Sequence, residues 1–465
     1  MADSPTPTAT VADLRHGFDT RLTRPLAWRR AQLKQFKRML EEQEAEWLAA
    51  LGADLGKPAT EAWAVEIAAV TAEIDHMLHH LGGWAAPRSV RVPLKLGVGK
   101  ATVVPEPLGL VLVLAPWNYP INLLVLPMAF ALAAGNCVVG KPSELAPATS
   151  AALARLVPKY LDERAVAIVE GAGDTATELL AERWDHIFYT GSGRVGRLVM
   201  EAAARHLTPV TLELGGKSPA VVDAEADLDV AARRIVWGKF VNAGQTCLAP
   251  DYVAVHRDVE EALLAKMVSV VDEFYRGDPR ASPDYGRIIN DDHTARLAGL
   301  LERARQGGGL RLVTGGQVEA DQRYISPTIL AGASWDDELM QEEIFGPILP
   351  VVAVTDVDAA IEAINARPKP LALYVFTSRP GMAERVIDRT SSGGVCVNGT
   401  LMQFADPDLP FGGVGPSGMG TYHGQFGFET FSHGKAVLDR ATWFDPSFTY
   451  PPYTRLKNLI LRRLL

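Results

Sequence analysis

The chain has 465 residues, 48% of them hydrophobic and 22% charged, with a formal net charge of −9. At about 150 residues per domain this implies a soluble protein of two or three domains. The acidic balance argues against nucleic acid or an anionic membrane as the main partner. Cys137, Cys247 and Cys396 lie far apart with no paired spacing, so neither a disulfide framework nor a CxxC metal site is expected, and a reducing cytoplasm fits best. The polar start, Met1 to Thr10, lacks the apolar core of a signal peptide, and no run reaches the ~18 apolar residues of a membrane span.

In chain order, residues from Val11 to Trp84 read as helices, with Leu33, Phe36, Leu40, Trp47, Leu48, Leu51 and Leu55 at helical spacing and Pro25 as a break. The period then changes. Leu110 to Leu114 is a continuous apolar run that suits a buried parallel strand. A helix is expected from Ile121 to Ala134, a strand at Cys137–Val139, a helix from Ala146 to Tyr160 and a strand at Val166–Val169. A helix around Ala176, a strand at His186–Tyr189, a helix from Val195 to His206 and a strand at Val210–Glu213 complete the series. Alternation of this kind implies a doubly wound parallel sheet. A second alternating series starts near Pro219 and includes strands at Tyr252–His256, Leu349–Val354 and Ala372–Thr377, with helices at Val259–Tyr275 and Ala359–Asn365. Gly307–Gly309, Gly315–Gly316 and Pro410–Pro416 read as loops. The basic, partly apolar tail, Leu456 to Leu465, is a docked terminal helix, a membrane-surface contact or a lid over a substrate entrance.

Several segments carry candidate chemistry. Glu213-Leu-Gly-Gly-Lys217 precedes Gly244-Gln-Thr-Cys247, with the Cys 34 positions after the Glu. A nucleophilic cysteine needs its thiolate, so a carboxylate and a cysteine can be read as base and nucleophile. Gly191-Ser-Gly-Arg-Val-Gly196 matches G-x-G-x-x-G between a strand and a helix, where backbone N–H groups cradle a pyrophosphate. That motif makes Glu213, about twenty residues on, a ribose ligand instead. Lys141 and Glu144 are an alternative ribose clamp at the end of a strand, or an exposed ion pair in a turn. Asn118, in Pro116-Trp-Asn-Tyr-Pro120, is an oxyanion donor or a polar turn residue. Glu342-Glu-Ile-Phe-Gly-Pro347 precedes a strand and taken alone is a helix end with a Gly-Pro turn. Cys137 and Cys396 sit in Val-rich runs and read as small buried hydrophobes.

In order and interval these segments, with Pro410-Phe-Gly-Gly413, resemble the aldehyde dehydrogenase superfamily over nearly the whole chain. His206 to Leu212, Asp284 to Ile288, Ser391 to Val395, Tyr422-His-Gly and Phe431-Ser-His433 look like its class 3 branch. The resemblance implies an α/β fold of two doubly wound domains, a Rossmann-type cofactor domain and a catalytic domain, joined by a small bridging β arm. The boundaries would be 1–84 with 104–213 for the dinucleotide-binding domain and 214–415 for the catalytic domain. The arm would take 85–103 with 429–440, and 441–465 would form the tail.

It further implies NAD(P)-dependent oxidation of an aldehyde to its acid through a thiohemiacetal and thioester on Cys247. Asn118 would hold the oxyanion and Glu213 would activate the hydrolytic water, which leaves the ribose to Lys141 and Glu144. Gly191, Ser192, Gly193, Val195 and Gly196 would lie along the phosphates, with Trp117, Glu343 and Phe345 towards the nicotinamide. NAD and NADP both remain open, no metal is implied, and the edge strand of the arm invites a homodimer. A coenzyme A-dependent acylating enzyme and a catalytically silent structural member of the fold are the alternatives. The segment Asn398 to Asp406 would line the substrate side. It departs from class 3 at Gln403, where His is common, and at Gly399, where Asp is. Trp63, Trp117, Tyr119, Met402 and Phe404 are either an apolar channel for medium- or long-chain aliphatic or aromatic aldehydes, or ordinary core.

Overall fold

The computed structural model describes residues 6–93 and 98–464; residues 1–5 of the polar start, 94–97 of the expected arm and Leu465 of the tail lie outside them. The first sheet has the order Gly418–Met419, Val210–Glu213, His186–Thr190, Leu110–Leu114, Cys137–Lys141, Val166–Ile168. All neighbours are parallel except Gly418–Met419, which runs antiparallel to Val210–Glu213. Setting that strand aside, the five parallel strands follow the 3-2-1-4-5 order of a dinucleotide-binding sheet, which reverses between Leu110–Leu114 and His186–Thr190. The loops after those two strands carry Trp117, Asn118 and Gly191, so these residues flank the crevice where such sheets bind ligands.

The helix Asn122–Ala134 shows why this half is rigid. Its residues are apolar on every side, and all of them are buried between the sheet and the N-terminal helices Leu26–Glu42 and Ala69–Trp84. Its leading N–H groups are capped from outside the helix: Ile121 N and Asn122 N donate to Glu66 Oε2 at 3.1 and 2.9 Å. Glu66 reaches them from a π-helical turn, Trp63–Ala68, that interrupts the N-terminal helices.

The second sheet has the order Arg311–Thr314, Thr328–Ala331, Ile348–Val354, Tyr252–His256, Pro219–Val222, Ala372–Phe376, Gly394–Val397, and is parallel apart from its first strand. It includes elements that the periodicity did not mark, among them the helices Leu228–Phe240 and Asp291–Gln306. Gly394–Val397 is an edge strand, so Cys396 is half-buried, not the enclosed hydrophobe its Val-rich neighbours suggest. Cys137, on an inner strand, is buried.

The arm is an antiparallel sheet of Arg88–Val90, Gly99–Pro107 and Ser432–Arg440. Pairing runs from Ser432 opposite Pro107 to Arg440 opposite Gly99, so the central strand reaches past residue 103 and its partner starts at 432 rather than 429. Between the Pro410–Pro416 loop and the arm, the chain returns to the first body: the helix Gly424–Thr430 packs on Asn122–Ala134 and Ala69–Trp84. The tail ends in the helix Arg455–Leu464, which packs on the Ser447–Thr449 turn and buries none of its residues, so it is not a helix docked into the body. Among the described residues no helix is long and apolar enough to cross a membrane.

Candidate active site

Cys247 is delivered by an unusual backbone. After the helix Leu228–Phe240, Asn242, Ala243 and Gly244 take φ of 53°, 51° and 76° in succession. Three left-handed residues reverse the chain in a minimum of length, and the last has to be glycine, because a Cβ at Gly244 would sit 2.3 Å from Gly346 O. Gln245, wholly buried, clamps the turn. It donates from Nε2 to Asn242 O and Arg287 O, both at 2.9 Å, and accepts from Ile289 N at 3.0 Å. The segment holding Cys247 is therefore a fixed, enclosed turn.

Asn118 lies across from it. Its Nδ2 donates to Gln245 O at 3.0 Å, leaving a second N–H on the same nitrogen. The backbone carbonyl of Asn118 accepts from Lys57 Nζ at 3.0 Å and Asn242 Nδ2 at 2.9 Å. Lys57 in turn pairs with Glu66 at 2.6 Å, both side chains fully enclosed. One buried ion pair thus fixes the Asn118 loop and caps the helix behind it. Tyr119 OH and Thr246 Oγ1, 2.7 Å apart, add a third tie between the two loops.

Glu213 ends its strand opposite Thr190. Its side chain is 2% exposed, and neither carboxylate oxygen has a hydrogen-bond partner among the described residues. Burial holds its carboxyl well above the usual carboxylate range. The Cys247 thiol is pushed up to about 12, by burial first and then by Glu343 and Glu213, while the N–H groups of Cys247 and Leu248 oppose the rise. The resting thiol is therefore protonated.

Cys247, Glu213 and Thr190 line one cavity of about 420 Å³, together with Leu123, Leu126, Trp237, Leu401, Phe404 and Phe411. Of the aromatic and Met residues left open between channel and core, Tyr119, Met402 and Phe404 line this cavity. Trp117 instead packs on His293 and Phe345, with ring centroids 5.1 and 5.4 Å away, and Trp63 is largely exposed.

None of the cofactor candidates lines that cavity. Lys141 is the last residue of its strand, and its Nζ donates to Glu144 Oε2 at 3.2 Å and to Pro142 O at 3.1 Å. Ser192 caps the helix Gly193–Ala204, accepting from Val195 N at 3.4 Å. A Cβ at Gly193 would meet nothing closer than 3.9 Å, so the helix start is open, while Gly196 packs on Leu214. The carboxylate of Glu343 rests on Gly215, whose Cβ would lie 2.3 Å from Oε2. Its carboxyl is pushed up to about 8, by burial first and by Asp251 next. Asp251 accepts from Ile344 N at 3.0 Å and pairs closely with Lys217, so the Glu-Leu-Gly-Gly-Lys loop and the Glu343–Phe345 loop are tied together. An open helix start, a Lys/Glu pair at a strand end and a carboxylate beside a two-glycine step fit a dinucleotide.

Sequence reasoning did not find Lys57, Glu66, Thr190, Gln245, Asp251 or His423. Gln245 and Thr190 had a local signal, inside the cysteine motif and at a strand end. His423 lay in the Tyr422-His-Gly segment, noted only as a mark of the class 3 branch; the others come from distant segments and had none. Lys239 is also new: its amine is wholly buried without a hydrogen-bond partner among the described residues, and burial lowers it to about 8.

Residues 5–437 match the model of the aldehyde dehydrogenase family. The chain is 48% identical over 449 residues to aldehyde dehydrogenase family 3 member A2 of Mus musculus, covering 96% of this chain and 92% of that one. It is 46% identical over 444 residues to the dimeric NADP-preferring aldehyde dehydrogenase of Canis lupus familiaris, covering 95% and 97%. The structure of the substrate-bound state of Staphylococcus aureus AldH superposes with a TM-score of 0.96 at 41% identity, covering 99% of this chain and 100% of that one. The chain belongs to the aldehyde dehydrogenase family and is an oxidoreductase that oxidises aldehydes with NAD or NADP.

Proposed function

We propose that Cys247 is the nucleophile and Glu213 the hydrolytic base of this oxidation, acting on apolar aldehydes of medium or long chain, or aromatic ones. The observation that carries the reading is one largely apolar cavity in which the thiol and an unpartnered buried carboxylate both appear. Apolar walls favour alkyl and aryl chains in proportion to the area they remove from water.

Cys247 first gives up its thiol proton to water, a loss the positive nicotinamide ring would favour, and the thiolate Sγ attacks the aldehyde carbon. The resulting oxyanion is met by the spare N–H of Asn118 and the backbone N–H of Cys247; removing one such donor costs about 3 kcal/mol of barrier lowering. When bound, the nicotinamide supplies a positive ring beside the thiol and takes up the hydride. Lys141 and Glu144 would hold one ribose, Gly191 to Gly196 the phosphates, and Glu343 the ribose nearer the thiol, with Phe345 and Trp117 beside the ring. The product of oxidation is a thioester on Cys247. Glu213 then takes a proton from a water, the hydroxide attacks the thioester, and the acid leaves with Cys247 restored as thiolate. A Cys247→Ala protein should neither form NAD(P)H nor be labelled by an aldehyde; retained turnover would refute the assignment.

The presence of Glu213 disfavours the acylating alternative, because coenzyme A attack needs no water-activating base; product analysis with and without coenzyme A separates the two. We further propose a homodimer located in the cytoplasm. One canine relative is named dimeric. The exposed arm strand Ser432–Arg440 and the free edge of Gly394–Val397 offer unpaired backbone groups suited to each other. Light scattering that gives a concentration-independent monomer of the chain mass, 50.2 kDa, would refute it.

A further inference from the structure

The stretch from Lys57 to Glu66 sets three charged side chains against the loops of the site. Lys57 holds the Asn118 loop, and Glu66 caps the helix behind it. Glu61, between them, takes no part in the reaction as described. It lies on the short helix Ala59–Ala62, and its Oε1 accepts from Asn242 N at 2.7 Å. Glu66 follows it by five residues, and the π-helical turn Trp63–Ala68 absorbs that i+5 spacing, so both carboxylates face the loops.

Asn242 opens the left-handed turn that ends in Gly244 and delivers Cys247. Neither Asn242 nor Ala243 is glycine, so the turn is strained and must be held from outside. Gln245 clamps its far end, and Asn242 Nδ2 ties it to Asn118 O at 2.9 Å. Glu61 supplies the acceptor at the near end, where Asn242 is buried and its N–H would otherwise be left bare. The carboxyl of Glu61 is pushed up to about 7, by burial first; Lys57 and then the Asn242 N–H oppose the rise, and Glu66 adds to it. Glu61 is half-buried, so its proton reaches water. The hydroxyls of Tyr119, Tyr275 and Tyr285 also lie near it. Burial holds all three above the usual phenol range, so they carry no charge at neutral pH.

We propose that Glu61 is a positioning residue for the oxidation: its ionised carboxylate holds the Asn242 N–H, and through it the turn that aims Cys247 Sγ at the aldehyde. This rests on the reading of Cys247 as the nucleophile and adds a control on its aim. An ionised acceptor binds an N–H about twice as strongly as a neutral one, so the turn is held most firmly once Glu61 has lost its proton.

The test compares the full-length wild type with two variants. Glu61→Gln keeps an acceptor of the same shape that does not titrate, and Glu61→Leu has none. The readout is kcat/KM for octanal, per folded enzyme, at saturating NAD(P). It covers the steps through hydride transfer and leaves out the later hydrolysis by Glu213. The ratio of wild type to Glu61→Gln should rise by about threefold or more as pH rises through 7. Titration of the thiol is common to both proteins and divides out. A charge acting only through its field would disfavour the thiolate and make the ratio fall.

Melting temperature should move the other way. Folding raises this carboxyl from 4.5 to about 7, so its contribution to stability is lost as pH rises across that window, and Glu61→Gln should gain on wild type there. A residue that only stabilised the fold would move activity and melting temperature together. Glu61→Leu should fall below Glu61→Gln in kcat/KM by about tenfold or more at every pH. If it does not fold, the Gln variant carries the test. A ratio that is flat or falls with pH, a melting temperature that tracks activity, or a Leu variant as active as the Gln variant overturns this inference alone. Retained turnover in Cys247→Ala overturns the reading beneath it.

Discussion

Replacing Glu213 by Gln isolates the second half of the reaction. The shape of the side chain is kept, and no protein hydrogen bond is lost, because neither oxygen has a partner among the described residues. What disappears is the proton acceptor. A positioned general base contributes about 10²–10⁴-fold, so hydrolysis of the thioester should slow by that factor, or roughly 3–5 kcal/mol of barrier. Attack by Cys247 uses Asn118 and the backbone, and neither hydrogen-bonds Glu213, so the first turnover should survive.

Rapid mixing should therefore show a burst of NADH of about one per site followed by a slow steady state, and mass spectrometry should find the acyl group on Cys247. The wild-type steady state should climb with pH as the raised carboxyl loses its proton, and the variant should lack that limb. Stability follows with the opposite sense. Because folding raises this pKa, the folded protein binds the proton more tightly. Wild-type stability contributed here is lost as pH rises from the unfolded value of 4.5 through the folded one. The variant should thus gain on the wild type as pH increases over that window. If the burst vanishes and no acyl-enzyme accumulates, Glu213 acts on the thiol and the division of labour proposed above is wrong.

Four further outcomes are expected. Lys57→Met should leave Glu66 as an uncompensated buried charge and cost about 3–5 kcal/mol in chemical denaturation; a loss below 1 kcal/mol would contradict the central place given to this pair. Gln245→Leu strands Ile289 N and Arg287 O, at about 1 kcal/mol or more for each, so its melting temperature should fall and labelling of Cys247 should become slow or heterogeneous. Gly244→Ala should be far worse than Gly277→Ala. Their φ values are 76° and 78°, but only at Gly244 would the Cβ strike backbone, so the second variant should cost about 1–2 kcal/mol and the first should lose the active turn. Glu343 titrates near 8, so cofactor affinity should strengthen as pH rises through that value, and Glu343→Gln should flatten the curve; an unchanged curve would remove Glu343 from the ribose.

The amino-acid order alone determines what is local. Leu110–Leu114, Cys137–Lys141 and His186–Thr190 are strands because Val-, Leu- and Ile-rich runs of that length bury both faces only inside a parallel sheet, and their apolarity is visible without neighbours. The motifs around Cys247, Glu213 and Gly191 were legible for the same reason: each packs its chemistry into a few consecutive residues. Segments with mixed patterns were not. Asp291–Gln306 carries charges on much of its surface, and Arg311–Thr314 and Thr328–Ala331 are too short to declare a period.

Tertiary structure decided the rest, by bringing together groups whose meaning exists only in pairs. A lysine at 57 is unremarkable until Glu66 folds against it and both lose water. His423 is one polar residue in a loop until Glu73, 350 positions earlier, comes within 3.9 Å of its ring and three aromatic rings enclose it. The tail shows the converse: its pattern suggested a helix, and a helix forms, but no surface closes over it. Periodicity records which face is apolar; burial, and with it the shift of a carboxyl or a thiol, depends on what arrives from elsewhere in the chain.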